Sequence, residues 1–240
     1  YTIHFHSSES KNKTAGLGEL KNVIGFRLVK AILPHSGYQV TENNKHISFS
    51  TATQTNSILI TLTPGKYSVH ELATHLQTTL NGSGVSGFTV TYNTTTLKFD
   101  IENSGTNFYF TWYTNFIKYK SSAYRLFGFY NIDDTEATGL KRSDRAADLS
   151  THFVDVVVPE IPKIGCKKNY LGKSIIDRIP LTEVSGGLVY YRNDIDENQN
   201  YFYPINLNQI TIELYDDTTN FLYDAQNADN SFEFEITIVK

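Results

Sequence analysis

The chain has 240 residues, 19% of them charged, and a formal net charge of -4. This balance excludes the global basic field that drives nonspecific binding to phosphate backbones, so nucleic acid is not expected as a direct ligand. The length suits one large all-β domain or two small ones, and one is the simpler reading; 16 Tyr and 15 Phe against a single Trp suit pleated sheets or a protein interface.

In chain order, residues 1–21 read as a partly irregular N-terminal arm with a polar lead from Ser7 to Thr14. Its opening, YTIHFHSSESKNK, lacks a hydrophobic signal core, and no run approaches about 18 apolar residues, so neither a signal peptide nor a membrane span is expected. No Met occurs, even at position 1, so further N-terminal residues are expected to be missing or removed. The single cysteine, Cys166, cannot form an internal disulfide, which points to folding in a reducing compartment.

NVIGFRLVKAILPHS, Asn22 to Ser36, is rich in β-branched residues and predicts a long strand with one broken alternation that a bulge would explain. KHISFS and SILITLT predict two short strands joined by a polar turn. The period then changes in LTPGKYSVHELATHLQTTLN. Ser68 and Glu71 form a capping box, Pro64-Gly65 supplies the turn leading in, and Val69, Leu72, Ala73, Leu76 and Leu80 share one helical face. That stripe is expected to lie on a sandwich edge or to close an open end of the fold.

GFTVTYN and TLKFDIE predict a hairpin around Asn93 to Thr95, and NFYFTWY continues the strand series. Ala123 to Asp148 reads as an apolar plug followed by a long polar loop, Asp133 to Asp148. THFVDVVVPEIP, SIIDRIPL, GLVYYRN, QITIELYD and FEFEITIV have strand character again. In the last, Phe232, Phe234, Ile236 and Ile238 alternate with Glu233, Glu235 and Thr237, so one face is core and the other is wet or covered by a partner. Turn signals recur throughout, which predicts an antiparallel sandwich or barrel over residues 22–240.

No catalytic machinery emerges. Gly82, Gly84 and Gly87 match a dinucleotide pattern, but a helix precedes them and a strand follows, the reverse of the required order; they read as a helix stop and turn. Asp194, Asp196, Asn198 and Asn200 resemble the start of a calcium loop, yet Gln199 stands where the sharp turn needs Gly and Ile205 where a bidentate Glu belongs. His4 and His6 share a strand face without a third ligand, and Cys166 has no local histidine signature. The sequons at Asn12, Asn81 and Asn93 matter only in a secreted chain. No cofactor or metal is expected, and the chain does not read as an enzyme.

The words TPGKYSVHELATHLQTTLN, FTVTYNTTTLKFDI and AYRLFGF, followed by VPEIPKIGCKKN, IIDRIPL, YFYPINLNQITIELYD and DNSFEFEITIV, together resemble penton and minor capsid proteins of large icosahedral DNA viruses and virophages, over Asn22 to Lys240. The resemblance implies a single jelly roll of about eight main strands with one inserted helix at about Ser68–Asn81. It implies homopentamers at the fivefold vertices of a virion, meeting a double jelly-roll major capsid protein and other minor capsid proteins, after folding in the host cytoplasm or a cytoplasmic virus factory. It carries no catalytic residues. Another minor capsid (cement) role, or a carbohydrate- or receptor-binding sandwich on the virion surface, are the alternatives. A fivefold ring needs two different patches on each subunit. The candidates are Tyr190, Tyr191, Arg192, Tyr201, Phe202 and Tyr203, with Lys141, Arg142 and Arg145 as a second group; the aromatics also fit ordinary strand packing.

Overall fold

The computed structural model of the chain describes residues 1–7, 13–116, 122–162, 168–169, 171–194, 199–217 and 222–239. Among them the alternating runs become antiparallel strands with one α-helix, and their contacts gather into two compact units, Tyr1–Gly37 with Thr151–Lys240, and Tyr38–Ser150. In chain order the strands are β1 (Thr2–Ser7), β2 (Lys13–Pro34), β3 (His46–Thr51), β4 (Ile58–Thr61), β5 (Phe88–Asn93), β6 (Lys98–Asn103) and β7 (Phe108–Phe110). Then follow β8 (Leu140–Arg142), β9 (Phe153–Val157), β10 (Asp177–Pro180), β11 (Leu188–Arg192), β12 (Asn200–Asp216) and β13 (Asn230–Ile238). The helix α1, Val69–Asn81, lies between β4 and β5.

The first unit is a seven-stranded sheet ordered β1-β13-β2-β12-β9-β10, with β11 also paired to β2. Its central strand β2 carries the expected bulge: pairing with β13 passes from Lys30↔Glu233 to Leu28↔Phe234 and skips Val29. The extra residue keeps Leu33 and Ala31 on the same buried face as Leu28 and Phe26. Along β13 the alternation holds, with Phe232, Phe234 and Ile236 buried and Phe234 stacked 5.0 Å from Phe26. Each such side chain contributes roughly 1.5–3 kcal/mol of hydrophobic stabilisation before entropy is counted. The opposite face is paired within the sheet: Glu233 meets Lys30 at 3.0 Å and Glu235 meets Arg27 at 2.8 Å.

The second unit packs two three-stranded sheets, β4-β3-β7 and β5-β6-β8, around an aromatic core. Phe88 of β5 stands edge-on to Phe49 of β3 at 5.5 Å and to Phe108 of β7 at 5.1 Å, so rings from the two sheets interlock. Trp112 is stacked on Phe110 and Phe129, and the apolar plug enters this core through Ala123, Leu126, Phe127 and Phe129.

The polar stretch after the plug departs from the sequence expectation. Instead of an open loop from Asp133 to Asp148, it contains strand β8, paired with β6 from Asp100↔Arg142 to Glu102↔Leu140. Hydrogen bonds of Asp133 to the Tyr113 and Thr114 amides, and of Asp134 to the Phe110 amide, pin its start. Its far end is held by Gly128, whose φ of +74° places an added Cβ only 2.3 Å from the Arg145 carbonyl oxygen. Only glycine fits both the left-handed backbone and that approach. Gly128→Ala should therefore cost more than the roughly 1–3 kcal/mol of a strained backbone alone. Thermal unfolding followed by circular dichroism will show a clear drop in Tm; an unchanged Tm would contradict this account of the segment.

Candidate self-association surface

Helix α1 forms where a capping box, an acidic first turn and an apolar stripe coincide. Ser68 Oγ accepts from the Glu71 amide at 3.3 Å while the Glu71 carboxylate accepts from the Ser68 amide at 2.8 Å, and these bonds hold Glu71 below the usual carboxylate range. Leu72, Ala73, Leu76 and Leu80 are buried as the stripe predicts. The polar flank does work that the pattern alone did not reveal. In the β5–β6 ladder, Phe88 and Val90 turn their amides away from β6, leaving a free strand edge. Asn81 donates to the Phe88 carbonyl and accepts from its amide, both at 2.9 Å, and Gln77 accepts from the Val90 amide at 2.9 Å. Two helical amide side chains thus take the place of a neighbouring strand. On β4's side, the Thr63 amide donates to His75 Nε2 at 3.0 Å, and the His75 ring stacks on Tyr67.

In the first unit, the aromatic candidates divide by strand alternation. Tyr190 is 74% exposed, Tyr201 60% and Tyr203 93%, whereas Tyr191 and Phe202 turn inward against the core. Tyr191 donates to the Asp177 carboxylate at 2.7 Å, and burial together with that bond pushes its phenol well above the usual range. Arg192 is exposed and ion-paired with Asp194. Beside Tyr190 across the β11–β2 pairing lies exposed Ile32, and Leu188 is exposed two residues away. The outward members therefore make a tyrosine-rich surface on the sheet face opposite the core.

In the second unit, two of the three basic candidates are committed internally. Arg142 makes a bidentate pair with Asp100, at 2.7 and 2.9 Å, and that pairing holds the Asp100 carboxyl below its ordinary range. Lys141, with its side chain 14% exposed, pairs with Asp134 at 3.1 Å and donates to the Glu136 carbonyl. Arg145 extends over the Tyr130 ring at 5.8 Å.

Comparison with known proteins found no matching family model and no matching curated protein. Among solved structures, the chain is similar to a mavirus penton protein, at 9% identity over 99% of both chains with a TM-score of 0.49. It is also similar to a chain of the Sputnik virophage structure, at 10% identity over 99% of this chain and 97% of that one, with a TM-score of 0.43.

The remaining sequence motifs resolve into local structure. Gly82 caps α1, and Gly84 and Gly87 adopt positive φ in the turn that follows. Asn93 accepts from the Thr95 and Thr96 amides in its hairpin turn. His6 lies 3.9 Å from Asp229, and among the described residues no group of three or more His, Cys, Asp or Glu could hold a metal ion. Cys166, Asp196, Asn198 and the Asn12 sequon lie outside the described residues.

Replacing Gln77 and Asn81 together by Leu should bare the β5 edge, cost about 1–3 kcal/mol for unpaired amide groups, and speed amide exchange at Val90; exchange at the wild-type rate would contradict the edge-sealing role. The Thr63 bond requires a neutral His75 with its proton on Nδ1, and burial pushes this ring below its ordinary pKa of 6.5. The unfolded chain then binds the proton first as pH falls, so His75 contributes stability above about pH 6.5 that is lost progressively below it. Tm should fall as the pH drops below about 6.5. The fall should be smaller in His75→Gln, and an identical pH slope in that variant would contradict the assignment.

Proposed function

We propose that this chain is a viral structural protein: the penton that assembles as a homopentamer at the fivefold vertices of an icosahedral capsid. The observation that carries the reading is the run of family-like words in fixed order from Asn22 to Lys240. The outward tyrosines Tyr190, Tyr201 and Tyr203 support it, because large amphipathic rings on a sheet face suit association with another protein surface. On this reading residues 22–240 act as one jelly-roll capsid domain, and residues 1–21 as its N-terminal arm. The partners are further copies of the chain, then a double jelly-roll major capsid protein and other minor capsid proteins. The site of action is the virion, after assembly in the host cytoplasm or a virus factory there. No chemical step is assigned to the chain.

Tyr190, Tyr201 and Tyr203 are the side chains best placed to reach a neighbour, with Arg145 the least committed of the basic group. Cryo-electron microscopy of purified particles tests the proposal: density for this chain is expected as rings of five at the vertices. Density for it elsewhere in the shell would favour a cement role, and its absence from the particle would overturn the capsid reading. Binding to a glycan array that is lost in Tyr201→Ala and Tyr203→Ala would favour the receptor-binding alternative.

A further inference from the structure

Within the first unit, one four-stranded stretch runs β1-β13-β2-β11, and its two outer strands differ from the sheet edge at β10. The ladder between β1 and β13 is anchored by reciprocal bonds between Tyr1 and Ile236, each 2.8 Å. In an antiparallel pair the residues that exchange bonds alternate with residues that face away. Ile3, Phe5 and Ser7 therefore bond to β13, while Thr2, His4 and His6 turn their amides and carbonyls outward. On the other side, the bonds from His35 to Gly187 and from Asn193 to Val29 fix the phase of the β2–β11 ladder. Leu188, Tyr190 and Arg192 then turn their main-chain groups away from β2. No described strand pairs with either outer edge.

The β10 edge is built otherwise. Its outward positions are Arg178 and Pro180: the Arg178 amide is taken by the Asp177 carboxylate at 2.9 Å, and proline has no amide to offer. Open edges are thus left at β1 and β11 and closed at β10.

Each open edge fits the other. Because neighbours alternate in direction across the stretch, β11 runs antiparallel to β1, so a second copy placed beside the first continues the sheet without reversal. Pairing His4 with Tyr190 also matches Thr2 with Arg192 and His6 with Leu188, which satisfies all three outward residues on both strands. The same register places Ile3 beside Tyr191 and Phe5 beside Val189 on the core side, and His4 beside Tyr190 on the outer side. We propose that copies of this chain join by this strand addition, β1 of one to β11 of the next. The contact is heterologous, as a closing ring requires; its closure at five rests on the proposed pentamer.

Two kinds of variant test it in the full chain. His4→Pro and Tyr190→Pro each remove an outward amide while leaving the internal ladder bonds in place, which edge strands tolerate. Each should keep the wild-type circular dichroism spectrum and reduce the pentamer, measured by native mass spectrometry, to the mass of one chain. Independently, His4→Cys combined with Tyr190→Cys in a Cys166→Ser background should cross-link under oxidation into a ladder ending at five chains, while each single-cysteine variant stops at dimers. Pentamers that persist in both proline variants, or a folded double-cysteine chain that yields no cross-link between copies, would overturn the edge pairing and leave the pentamer reading standing. Cross-linked open chains with no closed five-membered species would support the edge pairing and overturn the pentamer.

Discussion

A β-sheet ends in unpaired amides and carbonyls, and what meets those groups governs much of this chain's architecture. In the second unit the edge at β5 is met by side chains of a helix. Asn81 closes a two-bond amide pair with Phe88, and Gln77 takes the Val90 amide, so one polar flank of α1 does for the sheet what another strand would do. The apolar flank of the same helix meanwhile buries Leu72, Leu76 and Leu80. In the first unit Asp177 and Pro180 blunt β10 by a different route, with a carboxylate cap and a residue that has no amide. Against these closed edges, β1 and β11 stand open.

Local features were the most legible in the sequence. The capping box and stripe of α1 need only neighbours three and four residues apart, and both appear as read. The alternation of β13 and the bulge of β2 were equally visible, because each is a matter of period within one segment. What Gln77 and Asn81 bind was not legible, since nothing along the chain says which strand edge a polar helical residue will face. Nor was the pairing of β1 with β13, whose partners lie more than 200 residues apart. The full span of β12 was not legible either: the alternation marked only QITIELYD, yet the strand runs from Asn200 to Asp216 through Pro204 and shifts register between Tyr201 and Ile205. The segment after Asp133 looked like a loop because its order comes from ion pairs and a close approach at Gly128, neither of which has a periodic signature.

The candidate surface was half legible. Tyrosine and phenylalanine clustered from Tyr190 to Tyr203 mark an unusual stretch, and applying the two-residue strand period within it separates Tyr190, Tyr201 and Tyr203 from the inward Tyr191 and Phe202. The basic group failed for a different reason. Lys141 and Arg142 look available in a polar run, but Asp134 at the start of that run and Asp100 from β6 engage them. Composition reports how many charges a segment holds; tertiary structure decides how many remain for a partner.

The edges of β5 and β10 are closed by the chain's own residues, whereas those of β1 and β11 are left for another copy. Amide hydrogen exchange, compared residue by residue between the dispersed chain and the assembled oligomer, reads that distinction directly. Val90, held by Gln77, should be protected equally in both states, while Thr2, His4, His6, Leu188, Tyr190 and Arg192 should exchange fast in the dispersed chain and slow together on assembly. Assembly that leaves those six amides exchanging freely would contradict it.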